Sequence, residues 1–163
     1  MQIRLERAQD TDAIRALIEE AFVPVEHSDG SEPRIVDQLR RDGDLTLSLV
    51  ADDGGTIVGH IAFSPVSAGR AMTGWFGLGP VSVAPHRQGE GIGRALIEAG
   101  LAALRERGAA GCALLGDPAL YSRFGFASGA LTYQGLPPEY IQHLTLDGSA
   151  APHGELTYAP AFG

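Results

Sequence analysis

The chain of 163 residues has no lysine, no asparagine and one cysteine, Cys112. Without lysine there is no P-loop, whose GxxxxGK[ST] signature needs that side chain, and no lysine Schiff base. One cysteine excludes an internal disulfide framework and a cysteine-based zinc site. No run approaches 18 consecutive apolar residues, so no membrane-spanning helix is expected. The opening residues, MQIRLER, lack the apolar core of a signal peptide, and a cytoplasmic location is the expectation. Positive charge is scarce too: 12 basic residues, all arginine, against 20 acidic ones give a net charge of −8. That field repels a phosphate backbone and argues against nucleic acid as a partner, but it does not repel a cationic small molecule.

Glycine is abundant instead, with 22 residues, nearly twice the average share. The length suits one domain with a core of its own. Periodicity predicts a strand over 2–7, then a helix with Ala13, Ile14, Leu17, Ile18 and Ala21 on one face, capped by Asp10 or Thr11 and ended by Pro24. A second helix carries Ile35, Val36 and Leu39 inward and stops at Gly43. Residues 45–64 alternate with period two around the DDGG turn at 52–55, a hairpin signal. In that hairpin Ile57, Ile61 and Phe63 share one face, and Val58, His60 and Ala62 the other. Residues 65–70 read as a turn. A strand over 71–84 is interrupted at Gly77, Gly79 and Pro80, which suggests a bulge. A helix over 92–107, a strand over 112–115 and a short helix opened by Asp117-Pro118 follow. The tail holds strands near 131–133 and 155–158 and a helical piece over 138–143. The expected class is α/β, mixed α+β.

The informative segment is Val81 to Arg94, VSVAPHRQGEGIGR. A strand leads into a loop with glycines at 89, 91 and 93, and a helix begins at once. Bare backbone N–H groups beside a helix N-terminus suit an anion, most naturally a phosphate or pyrophosphate. Arg87 and Arg94 flank it with charge. A Rossmann GxGxxG fails in both registers, because the sixth position is Arg94 or Leu96. A glycine-rich connector without a ligand, or an unrelated nucleotide site, would share the loop.

Gln88-Gly89-Glu90-Gly91-Ile92-Gly93 resembles the Q/R-x-x-G-x-G/A signature of the GNAT superfamily of N-acetyltransferases. Val81-Ser82-Val83-Ala84-Pro85 matches the V-x-V-x-P before it, and the segment from Leu120 to Phe126 is similar to the family's Y-x-x-x-G-F element. LGPVSVAP, LLGDP and YSRFGF resemble the YhbS-like branch. The resemblance implies a mostly antiparallel sheet of six to seven strands flanked by helices, with a splayed strand pair holding acetyl-coenzyme A. Gln88, Gly89, Gly91, Ile92 and Gly93 would hold the pyrophosphate, with Arg87 and Arg94 beside it. Pantetheine would run along Val81, Ser82 and Val83, and a backbone N–H near Val81 or Ser82 would polarise the thioester carbonyl. The activity implied is acetyl transfer to a primary amine by direct attack; a non-catalytic acyl-CoA sensor is the alternative. A homodimer is left open by the sequence.

The resemblance makes Tyr121 the general acid for the leaving thiolate, since a phenol of pKa about 10 matches a thiolate of similar basicity. Many relatives use a carboxylate on the fourth strand as base, and none lies between Ala71 and Ala84 here. His60 is the substitute as base or relay; the competing reading is a hydrogen-bonded core histidine. Glu26 and His27 could line the acceptor pocket, which the first loop, the hairpins and the C-terminal segment would build. Asp117 reads as a helix cap and Cys112 as core. His143 and His153 are scattered, with no partner at metal-ligand spacing, so no metal is expected.

Overall fold

The computed structural model describes residues 1–23, 30–68 and 73–163. Chain order runs β1 (Gln2–Leu5), α1 (Thr11–Phe22), α2 (Glu32–Asp42), β2 (Leu47–Asp53), β3 (Thr56–Ala68), β4 (Trp75–Val83) and α3 (Ile92–Glu106). It continues with β5 (Gly111–Leu115), α4 (Pro118–Tyr121), β6 (Ala127–Ser128), β7 (Leu131–Thr132), β8 (Ile141–Thr145) and β9 (Gly154–Tyr158). Seven strands have four or more residues; β6 and β7 are two-residue pairings. They form a sheet of order β1-β2-β3-β4-β5-β8-β6, with β9 joining the far end of β3 and pairing β7. Only β4–β5 and β7–β9 are parallel among these pairs. This is the mixed α+β, mostly antiparallel architecture that the motifs imply.

Alternation along β3 puts helices on both faces. Ile61 and Phe63 cluster with Leu96, Ile97, Leu101 and Leu104 of α3. Ala62 points the other way, with Val50, and meets Ile14, Ile18 and Val36 of α1 and α2. A register shift between Ala51 and Asp52 breaks the alternation at its start, so Val58 joins the first cluster rather than the face of His60 and Ala62. α3 lies close on the sheet: a Cβ at Gly100 would stand 2.5 Å from the Phe63 ring, and one at Gly59 would stand 2.8 Å from Ile92.

Three local expectations change. Residues 65–68 continue β3 instead of turning, because Pro65 lies beyond the last β2–β3 pair, Leu47 with Phe63, where its missing N–H leaves no β2 acceptor unmatched. Past it, Val66–Ala68 pair with β9. The helical piece at 138–143 shrinks to a 3-10 turn at Pro138–Tyr140, and Ile141–Thr145 becomes a strand, held by five pairs to β5. Asp10 stands at the N-cap position of α1 but turns back, accepting from the Arg7 N–H at 2.6 Å and from the Arg4 guanidinium at 2.8 Å. The strand expected from residue 71 is seen from Trp75; Ala71 and Met72 lie outside the described residues.

Candidate active site

The site begins where β4 leaves β5. The two strands pair in parallel only through Trp75–Gly111, Phe76–Cys112 and Gly77–Ala113. Beyond Gly77, β4 carries the expected bulge: Phe63 pairs with Leu78 but Ile61 with Val81, so one extra β4 residue enters at the cis Gly79–Pro80 step. β4 stays on β3 and parts from β5, and the β5-facing edge of Leu78–Val83 has no strand partner among the described residues. The Ala84 N–H donates to Val58 O at 2.9 Å. By strand alternation Ser82 also faces β3, so the N–H groups of Val81 and Val83 point into the split.

A cleft of about 500 Å³ opens there, lined by Leu78, Gly79, Pro80 and Val81 of β4 and by Leu115 and Tyr121. Tyr121 ends a helix that its sequence starts well: Asp117 accepts from the Ala119 N–H at 2.9 Å, and Pro118 takes the first position. The phenol ring meets Phe124 and Phe126 at centroid distances of 6.4 and 6.1 Å. It also fills the space that a Cβ at Gly116 would need, 2.5 Å from that point. Burial pushes its pKa upward, so it stays a proton donor through the neutral range.

β4 runs from this cleft to the glycine loop. Gly89 and Gly91 have φ of +82° and +83°, a left-handed conformation with no cost for glycine. Gly91 is the N-cap of α3 and offers no side chain to cap it. The Ala95 N–H is the first to find an intrahelical acceptor, Gly91 O at 3.0 Å. The N–H groups of Ile92, Gly93 and Arg94 precede it and have none within the helix. A Cβ at Gly89 or Gly91 would meet nothing within 4 Å, so the loop offers open space as well as donors. Main-chain amides, open space and the positive end of a 15-residue helix suit a diphosphate.

The sequence model of the acetyltransferase (GNAT) domain matches residues 44–128, just over half of the chain. The chain belongs to the GNAT family. Among its relatives, the uncharacterized N-acetyltransferase YhbS of Escherichia coli K12 is 45% identical over 131 residues, 80% of this chain and 75% of that protein. A GNAT-family acetyltransferase from Brucella melitensis, solved in complex with acetyl-CoA, is 52% identical, with a TM-score of 0.89 over 99% of this chain and 97% of that one. The crystal structure of Escherichia coli YhbS in complex with CoA is 37% identical, with a TM-score of 0.86 over 99% and 91% of the two chains. The YhbS-like branch is therefore where this GNAT domain sits.

Within the GNAT frame, the arginines beside the loop already have carboxylate partners, and Arg94 with Glu98 is the pair that their i, i+4 spacing predicts. Arg87 is held by Asp53 at 2.8 Å and by Glu90 at 3.0 Å, and Arg94 pairs with Glu98 at 3.0 Å. Their charge is partly matched by these carboxylates, whereas the N–H groups of Ile92, Gly93 and Arg94 have no acceptor within the helix. Gln88 reaches back to Val83 O. His60 is fully buried and is not among the described residues lining the cleft. Its Nε2 lies 2.8 Å from Ser48 Oγ, which donates to Glu6, itself bidentate with Arg40. Burial lowers its pKa to about 4, and its Nδ1 has no partner. This is the geometry of a neutral core histidine. Cys112 is sealed in β5, and burial raises its thiol pKa, which makes it a poor nucleophile. Glu26 and His27 lie outside the described residues. No group of three or more metal-ligating side chains occurs among the described residues.

Other residues that line the cleft were not named by sequence reasoning. They are Phe22 at the end of α1, Glu32 and Ile35 in the first turn of α2, and Tyr133, Tyr158 and Phe162. The C-terminal contribution was foreseeable as a region but not by residue, because these side chains share no motif or period. They meet only through the pairing of β9 with both β3 and β7.

Proposed function

We propose that the protein transfers the acetyl group of acetyl-CoA to a primary amine, by direct attack in a ternary complex. The observation that carries this reading is Tyr121 lining the cleft between β4 and β5, at the end of a strand that leads to an uncapped helix N-terminus. The Brucella melitensis and Escherichia coli relatives, solved with acetyl-CoA and CoA, support the choice of donor. The residues present fit it. The amides of residues 88–93 would hold the diphosphate, and the open edge of Val81–Val83 would pair with the pantetheine arm. Acetyl-CoA supplies the acetyl group as an activated thioester.

The rest is the work of the chain. The Val81 N–H, aimed into the split, donates to the thioester carbonyl oxygen as charge gathers there. Tyr121 gives its proton to the departing sulfur. The raised thiol pKa of Cys112 disfavours an acyl-enzyme route and favours attack by the amine itself. His60 has a structural part, bracing β2 and β3 through Ser48. The test is purified protein with acetyl-CoA and a panel of primary amines, following free thiol. Amine-dependent thiol release is expected. Bound acetyl-CoA with no release for any amine would favour a sensor.

A further inference from the structure

Three fully buried side chains of β3 and β4 carry polar atoms that meet no hydrogen-bonding group among the described residues: His60 Nδ1, Ser64 Oγ and Ser82 Oγ. Buried polar groups nearly always find a partner, in the protein or in ordered water. His60 and Ser82 stand directly opposite each other in the β3–β4 register, so their side chains leave the sheet on the same face. That face also carries Ala62, and Ile14, Ile18 and Val36 of α1 and α2 cover it. Ser64 shares the face but lies four residues further along β3, about 13 Å away, too far for one water to join it to His60.

The polar network behind His60 fixes its tautomer. Burial raises the pKa of Glu6, but two bonds from Arg40 and one from Ser48 hold it below the ordinary value, so Glu6 is a carboxylate in the neutral range. A carboxylate only accepts, and the one hydroxyl proton of Ser48 therefore goes to Glu6. Ser48 Oγ then accepts from His60, which places the imidazole proton on Nε2 and leaves a bare lone pair on Nδ1. That lone pair needs a donor. Ser48 is on β2, across β3 from β4, so its contact tips the ring away from Ser82, and no hydrogen bond joins Ser82 to His60. The Cβ atoms of a direct cross-strand pair stand about 4.5–5.5 Å apart. One water with a hydrogen bond of about 2.8 Å to each side covers such a span. Room for it arises next along the face, where Ala62 offers only a methyl and β4 inserts the extra residue of its bulge.

We infer that β3 and β4 enclose a structural water that donates to His60 Nδ1 and bonds the Ser82 hydroxyl, on the sheet face covered by α1 and α2. The site stands independently of the transferase reading. It completes a hydrogen-bonded line from Arg40 through Glu6, Ser48 and His60 to Ser82, crossing β2, β3 and β4. Ser82 lies between Val81 and Val83, so the line ends on the stretch of β4 whose N–H groups face the split. A buried water with such partners is part of the fold and costly to remove.

A crystal structure of the whole chain that shows ordered water is the first test. Density for one water about 2.7–3.2 Å from both Nδ1 and Ser82 Oγ is expected. Nitrogen–proton correlation of the histidine rings at pH 7.5 should show His60 with its proton on Nε2. Relaxation dispersion of water deuterons counts long-lived waters in solution, and His60→Gln and Ser82→Ala should each hold one fewer than wild type. If Ser82→Ala does not fold, the wild-type density and histidine spectrum decide alone. A direct Ser82–His60 hydrogen bond, no density between them, a proton on Nδ1, or an unchanged water count in the folded variants would each overturn the inference.

Discussion

Acidification should expose His60 as a buried neutral residue. In the folded chain its pKa is about 4 against an ordinary 6.5, because burial withholds water from the imidazolium more than Glu6 compensates. The unfolded chain, with the ordinary value, therefore binds the proton first. Stability is intact above about pH 6.5 and drains away as pH falls through 6.5 towards 4. Full protonation of the unfolded side sets an upper bound of about 3 kcal/mol, and at pH 5.5, above the sequence pI of about 5.0, linkage gives about 1 kcal/mol. Glu6 contributes in a lower window. Burial raises its pKa, but bonds from Arg40 and Ser48 outweigh that and hold it below 4.5, so its share is lost only below that value. Urea unfolding at pH 7.5 and 5.5, followed by circular dichroism, separates the two. Wild type should lose about 1 kcal/mol more than His60→Gln, which has no imidazole to protonate. His60→Gln should also keep kcat/KM within about threefold at pH 7.5. Equal losses in the two proteins, or a tenfold fall in turnover for the variant, would refute the assignment of His60 to structure.

Other outcomes follow from the same geometry. Tyr121→Phe should lower kcat at least tenfold while the KM for acetyl-CoA changes less than threefold, and the raised pKa of Tyr121 means that wild-type kcat should not lose this acid below about pH 10. Gly91→Ala adds a Cβ in open space at φ +83°, so about 1 kcal/mol of stability should go while CoA affinity, read by calorimetry, falls tenfold or more. Helix propensity alone would let Gly100→Ala stabilise by about 1 kcal/mol. The 2.5 Å approach of its Cβ to Phe63 predicts the opposite, a net loss of about 1–2 kcal/mol in urea unfolding with turnover retained.

Much of this was legible before any coordinates. The glycines at 89, 91 and 93 gave the loop, because left-handed backbone and an uncapped helix start are local demands that the letters carry. Gly79 and Pro80 marked the β4 bulge for the same reason, and Asp117-Pro118 marked the start of α4. What stayed hidden depends on distance across the fold. Residues 141–145 become a strand because β5 offers an edge, and Pro65 is tolerated because β2 has already ended. His60 reads in the sequence either as a base or relay or as a hydrogen-bonded core residue, and its complete burial favours the second. Arg87 looked free for an anion until Asp53, 34 residues away, came beside it.

The account stands most directly on a crystal structure of this chain with acetyl-CoA bound. It predicts diphosphate oxygens about 2.9 Å from N–H groups of residues 88–93, and the thioester between Val81 and Tyr121. A diphosphate held elsewhere, or a thioester on the other side of β4, would contradict it.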